Sequence, residues 1–401
     1  MTQPAINSLD KPDAIGAELN LVVLPASSRA EAMRIWKALE IELHSQRLMS
    51  SSIWTETWLN HFGKQIPHQF AVGSRDGVPC GICLMTNGVD ERNGPMRLRT
   101  WHVGTAGESE DDSTCVEYNT VLVHPKDRDE LQLAIWNWIT ARNDWDEFRL
   151  DGFSEEIFDS WLKIDPNFMV TAKTSRYFDL EVARQTKTSV LASLGSQTRS
   201  VIRQNLRRLG PVTTEWAETV IGAEQIFDEL VRLHQIRWKY EGLPGCYASR
   251  VFREFHLELL HRLVPLGRMG LFRVNNEQGT IGCAQVLMDG DRACLYQGGR
   301  VLADDRRDSP GLIVDYLLIE ECSKRGYAAL DFLAGESAHK RRLSTASAPL
   351  IWAVCRRPSL THLLIDGLRS IKRAIEGQFP KKSNSKSANV SSKSETDKRH
   401  P

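Results

Sequence analysis

No stretch of the sequence holds the ~20 consecutive apolar residues that a membrane-crossing helix needs, which excludes a helical span. Surplus charge is missing too: 51 Lys and Arg face 51 Asp and Glu. The whole chain therefore gives no electrostatic argument for nucleic acid, and any anion site must be local. The patterns GxxxxGK[ST], HExxH, GxSxG and a post-strand GxGxxG are all absent, which removes the commonest nucleotide, zinc and serine-hydrolase signatures. The first residues, MTQPAINSLDKPDAIGAELN, lack a basic start followed by an apolar run. Residues 1–18 accordingly read as a flexible leader and not as a secretory signal. The 8 cysteines are scattered, and outside a secretory context they are expected to be reduced thiols in a cytoplasmic protein. Cys80 and Cys83 form a lone CxxC in a strand-like run, where positions i and i+3 face opposite ways. No second pair completes a zinc set, so no metal is expected.

What is present fits a globular protein with real cores: 401 residues, 41% hydrophobic and 25% charged, long enough for two domains. The first half reads as a strand (LNLVVL), helices over 30–43 and 55–62, and a hairpin HQFAVGSRDGVPCGICLM turning at Asp76-Gly77. Strands MRLRTWHVG and EYNTVLV, a helix over 129–142 and a strand DEFRLDGF follow. The second half repeats this grammar. Helices fill 189–209, 223–240 and 251–263, then come the hairpin GLFRVNNEQGTIGCAQVLM and the strand RACLYQGG. A helix over 310–325, the strand AALDFLA, a short helix around Lys340 and the strand PLIWAVC complete it. Similarity of element order without residue identity suggests a structural duplication. Helices interleaved with hairpins predict α/β architecture of the mixed-sheet, α+β kind.

Chemistry concentrates in DSPGLIVDYLLIEECSKRGYAALDFLAGESAHKRRL, residues 308–343. Ser309 is placed to cap a helix, Pro310 suits its first turn, and Gly311 removes side-chain bulk there. Such a helix mouth offers backbone N–H groups and a positive dipole end to a phosphate, or is simply a good cap. Arg306 and Arg307 precede it and could add charge-assisted bonds. With Leu330 and Phe332 facing one way, Asp331 faces the other, either as a bonded strand-end carboxylate or as a polar group beside a ligand crevice. Lys340 could steady an oxyanion and His339 could shuttle a proton, against the alternative of a solvated basic turn.

Two further basic elements stand out. In SQTRSVIRQNLRRLG, Arg199, Arg203 and Arg207 recur every fourth residue, and Arg208 adds to them. The stripe grips a phosphate-bearing substrate, an acidic partner or tRNA, or else is a solvated face. THLLIDGLRSIKRAIEGQF has apolar residues at helical spacing flanked by Arg369, Lys372 and Arg373. This helix is expected over 359–379, docking on its own domain, on a second subunit or on a membrane surface. KKSNSKSANVSSKSETDKRHP has almost no apolar content, so 380–401 is expected to be a disordered basic tail.

The segment from Tyr296 to Leu343 resembles the core of a GNAT-superfamily acetyltransferase domain. The type is the FemAB-related one found in proteins labelled cellulose-biosynthesis CelD-like. TSVLASLGSQTRSVIRQNLRRLG resembles that family's basic helix, HQIRWKYEGLPGCYAS its Arg-Trp helix, and IWTETWLNHFG its tryptophan-rich early helix. The resemblance implies tandem GNAT-like halves, 19–182 and 183–358, the second carrying the better-formed acyl-CoA site. It places Arg306, Arg307, Ser309, Gly311 and Leu312 around the pyrophosphate of acetyl-CoA or another acyl-CoA. It implies oxyanion or phosphate stabilisation by Lys340, proton handling by Asp331 or His339, and an acceptor site lined by Tyr296 and Gln297, with Arg203 and Arg207 as further substrate contacts. Two residues depart from the family pattern: Pro310 removes a donor N–H, and His339 stands where tyrosine is expected. The implied function is N-acyl transfer to a small-molecule or glycan-precursor amine in exopolysaccharide or cell-envelope metabolism. The alternatives are an aminoacyl-tRNA-dependent ligase and a non-catalytic component of a polysaccharide-synthesis complex.

Overall fold

The computed structural model of the chain describes residues 18–90, 97–303, 305, 308–358, 362–365 and 367. Arg306, Arg307, the tail 380–401, nearly all of the leader and most of 359–379 lie outside the described residues.

Alternating apolar runs become strands and 3.6-periodic runs become helices, in two similar passes. The first pass is β1 (Asn20–Pro25), α1 (Arg29–Glu42), α2 (Ser52–Phe62), β2 (His68–Arg75), β3 (Val78–Asp90), β4 (Leu98–Val103), β5 (Leu122–Val123), α3 (Arg128–Thr140), β6 (Glu147–Ser154), α4 (Glu155–Ile164) and β7 (Met169–Asp179). The short helices α5 (Leu180–Gln185) and α6 (Val190–Ser193) then lead to α7 (Ser196–Leu209). The second pass is β8 (Val212–Trp216), α8 (Val220–Tyr240), α9 (Arg250–Leu263), β9 (Met269–Asn276), β10 (Gly279–Asp289), β11 (Arg292–Arg300), α10 (Pro310–Lys324), β12 (Ala329–Ala334), α11 (Ala338–Leu343) and β13 (Ala346–Arg356).

The strands form one mixed sheet in the order β1-β2-β3-β4-β6-β13-β7-β12-β11-β10-β9-β8, with β5 beside β3. Its centre is an exchange. β7, the last strand of the first pass, pairs with β12 of the second, while β13 pairs with β6 of the first. The two exchanged strands then pair with each other from Ala346↔Tyr177 to Val354↔Met169. Both passes are thereby welded into a single sheet.

One face carries a continuous core in which α1 and α2 join α8 and α9; Trp54 meets Phe255 edge-on at 5.1 Å. The opposite face carries two separate cores, one under α3 and α4 and one under α5, α6, α7 and α10. Polar ties cross the halves as well: Arg262 donates to Glu56 at 2.6 Å and Arg47 to the buried Asp289 at 2.7 Å.

Several expectations are corrected. The helix expected over 189–209 is two helices, because Leu194 and Gly195 are both extended. EYNTVLV supplies only the two-residue β5, since Tyr118 takes φ 57° and turns the chain away. β7, β8, α4 and α5 were not anticipated. The hairpin at Asp76-Gly77 is as expected, both residues having positive φ. Cys80 and Cys83 are buried in β3, and burial pushes their thiols up to about 11 and about 12.

Candidate functional site

The parallel strands β11 and β12 pair only over Arg292–Cys294 against Ala329–Asp331, and then part. Parting strands leave backbone groups that need other partners. On β12 those partners are side chains. Leu333 N–H donates to Asp331 Oδ1 at 2.7 Å, and Ala334 N–H donates to Glu117 Oε2 at 2.7 Å. The carbonyls of Leu333 and Ala334 both accept from Lys340 Nζ, at 2.9 and 2.8 Å. A bulge between Asp331 and Ala334, with Leu333 at φ 60°, makes room for this arrangement.

Asp331 is fully buried and faces away from Leu330 and Phe332, as its strand parity predicts. Beside Leu333 N–H, its carboxylate accepts from Ser175 Oγ on β7 at 2.7 Å, Tyr118 Oη at 2.5 Å and Arg292 Nη1 at 2.6 Å. These donors take up the acceptor capacity of a carboxylate. Arg292 also lies over the rings of Tyr118 and Tyr177, with its carbon 5.4 and 4.6 Å from their centroids.

Glu117 and Tyr118 belong to the first half, so the site is built by both. Burial drives the Glu117 carboxyl up to about 7, aided by Asp331 and opposed by the Ala334 N–H, Lys340 and Lys173. Burial also lowers the Lys340 ammonium from its usual range, against the pull of Glu117 and Asp331. A carboxyl poised near neutrality beside a held ammonium is the kind of pair that acid–base chemistry requires. Tyr296 is buried on the same face and donates to Thr114 O at 2.5 Å, tying the first-half loop to β11.

The other face of β11 and β12 holds a different cluster. Asp315, buried in the otherwise apolar α10, pairs with His339 Nε2 and lies 3.8 Å from Arg300 Nη2. Burial alone would raise its carboxyl, but Arg300 and His339 outweigh that and hold it below its ordinary range. At the mouth of α10 the Ser309 hydroxyl makes no capping bond; its N–H donates to Asn205 Oδ1 at 2.7 Å instead. Gly311 lets the Arg300 side chain lie against the helix mouth, where a Cβ would stand 2.2 Å from Arg300 Nη1. Gly311 and Leu312 are buried, and Gln297 is half-buried.

Asp331 and Lys340 therefore meet at the end of β12, with Tyr296 on the same face. His339 turns to the α10 face, together with the helix mouth. Arg203 and Arg207 are exposed on α7, which packs on that same α10 face. Of the remaining arginines in the stripe, Arg199 donates to the carbonyls of Ala192 and Leu194, and Arg208 pairs with Asp308 at 2.9 Å. Glu117, Tyr118, Ser175, Arg292 and Arg300 are additions from the structure. Asp315 alone carried a signal in the sequence, as a lone acid in an apolar helix turn.

The first half has an equivalent parting of β4 and β6 after His102↔Arg149, but its own chain seals it. Asn119 N–H donates to Gly152 O at 3.0 Å, and Asn119 Nδ2 donates to Val103 O at 2.8 Å. A Cβ on Gly152 would lie 2.2 Å from Val116 O, so the fit leaves no gap.

A mixed sheet whose parallel strands part beside a helix N-terminus, repeated twice with its last strands exchanged, defines the tandem acyltransferase-type fold. Residues 196–341 match the acetyltransferase (GNAT) domain family. The GNAT match thus falls on the second pass of the sheet, and the chain as a whole has the tandem GNAT-like fold. The crystal structure of FemX superposes with TM-score 0.53 at 12% identity, covering 83% of this chain and 96% of that one. The C-terminal domain of a protein described as a lysylphosphatidylglycerol synthetase, from Agrobacterium fabrum, gives TM-score 0.50 at 12% identity, covering 85% and 97%. The sequence matches no curated protein. Among the described residues no helix is long and apolar enough to cross a membrane.

Proposed function

We propose that the protein is an N-acyltransferase that moves an acyl group from a thioester donor, acyl-CoA with acetyl-CoA first, to the amine of a small molecule or glycan precursor. The observation that carries this reading is the meeting of Lys340 and Asp331 of the matched domain with Glu117, which reaches them from the first half, where β11 and β12 part.

An amine reaches the site largely as its ammonium and must lose a proton before it can attack. Glu117, poised near neutrality, accepts that proton. The freed nitrogen bonds to the thioester carbonyl carbon, and the carbonyl oxygen takes the charge. Lys340, held by two backbone carbonyls, supplies the opposing charge there. Collapse breaks the C–S bond, and the departing thiolate takes up the second proton, which the attacking nitrogen sheds as it becomes an amide. Asp331 keeps Tyr118 and Arg292 in place and is a positioning residue in this scheme. Tyr296 and Gln297 flank the acceptor. At the mouth of α10 the Gly311 N–H and the positive helix end, with charge from Arg306 and Arg307, would hold the donor's phosphates, while Ser309 and Leu312, whose N–H groups are engaged by Asn205 Oδ1 and Ser309 O, would shape the turn. The Arg300 guanidinium beside Gly311 adds positive charge where a phosphate would lie.

Thiol release from acetyl-CoA in the presence of an amine panel tests the reading, alongside thermal shift with CoA. Amine-dependent release that collapses in Glu117→Gln and Lys340→Ala is expected. The absence of both CoA stabilisation and thiol release would overturn it, and stabilisation by aminoacyl-tRNA alone would point to an ester donor.

A further inference from the structure

A second feature lies away from both clusters. Between the start of α7 and the end of α11 is an open cleft of about 480 Å³, lined by Gly195, Thr198, Ala338, Arg341, Arg342 and Thr345 among others. Its volume is that of a small-molecule site. α7 begins on Gly195, which gives its first turn no side-chain cap. The N–H groups of that turn and the positive end of a 14-residue helix therefore face the cleft.

A bare helix start is common, and it is the other residues that mark this one. Thr198 is 8% exposed, and its hydroxyl has no hydrogen-bond partner among the described residues. The residue lines the cleft, so the hydroxyl is available to a ligand there. Arg342 is exposed at the rim and has no acidic partner among the described residues, whereas Arg341 is joined to Glu336 at 3.0 Å. Thr345 is engaged through its hydroxyl, which accepts from Asp179 N–H at 2.8 Å and fixes that wall to the start of α5. A fixed wall, an uncapped helix, a waiting hydroxyl and an unpaired guanidinium match the needs of a phosphate group.

We propose that this cleft binds the phosphate of a phosphorylated small molecule, with the α7 N-terminus, the Thr198 hydroxyl and Arg342 as its ligands. The site is distinct from the mouth of α10: the two stand on different helices, and Arg300 and Asn205 belong only to the latter. It does not depend on the acyl-transfer reading.

Titration calorimetry of the full chain with inorganic pyrophosphate, and separately with inorganic phosphate, tests this. Expected is a saturable site that survives Arg300→Ala, is weakened about tenfold or more by Arg342→Ala and by Thr198→Val, and is unchanged in Lys163→Ala, which removes an equal charge on α4. Thr198→Val keeps the shape of the side chain, and Arg342 is exposed, so both variants should melt within a few degrees of the parent. No heat at millimolar pyrophosphate would overturn the proposal. So would binding unaffected by either variant, or binding lost in Arg300→Ala but kept in Arg342→Ala, which would move the anion to α10.

Discussion

Glu117 of the first half accepts a hydrogen bond at 2.7 Å from the N–H of Ala334, the residue that ends β12 in the second half. The contact joins a loop that seals one strand parting to the rim of the other. It also makes Glu117 the titratable group whose behaviour tests the site most directly.

Burial raises the Glu117 carboxyl from an ordinary 4.5 to about 7. Between those values the folded chain holds a proton that the unfolded chain has lost, so stability falls as pH rises through this window. Glu117→Gln removes that dependence. In urea unfolding followed from pH 4.5 to 8, the variant should gain on the parent up to about pH 7 and run parallel above it. A constant difference across the range would contradict the assignment.

Asp331→Asn should be far more damaging than Ser175→Ala. The first leaves the half-buried Arg292 facing an amide and turns one acceptor into a donor, for a loss of about 3–5 kcal/mol. The second removes one of the hydroxyl donors to Asp331 and should cost about 1 kcal/mol. Urea midpoints at a single pH compare the two, and similar midpoints would show that Asp331 is not the hub its bonds describe.

Lys340→Met keeps the aliphatic stem and leaves the carbonyls of Leu333 and Ala334 without their donor. A loss of about 1–3 kcal/mol is expected, together with loss of amine-dependent thiol release. Full thiol release in a folded variant would remove Lys340 from the reaction.

Two glycines should separate cleanly. In Gly299→Ala the new Cβ would lie 2.4 Å from Leu230 O and 3.0 Å from Leu233 Cβ, against the packed backbone of α8. A cost of about 1–3 kcal/mol follows, the usual range for overpacking. In Gly311→Ala the clash is with the Arg300 side chain, which can swing away, so stability should change by less than about 1 kcal/mol. The second variant should instead weaken CoA stabilisation in thermal shift, because the guanidinium leaves the helix mouth.

Much of the architecture was legible because it is local. Hydrophobic period, the Asp76-Gly77 turn and the Ser309-Pro310-Gly311 start each depend on a few neighbouring residues, and the duplicated order followed from them. Strand parity alone turned Asp331 away from Leu330 and Phe332. What local pattern could not supply is pairing between distant segments. β7 went unread, and with it the exchange that brings Ser175 to Asp331, 156 positions away. Tyr118 reaches the same carboxylate across 213 positions, from a stretch that reads as a strand until its backbone turns at φ 57°. The sequence by itself determined the two-pass mixed sheet and marked residues 308–343 as chemically dense. Only the tertiary structure decided which of those residues meet, since burial and opposing charge set the state of Glu117, Lys340 and Asp315, and both depend on what the fold packs around them.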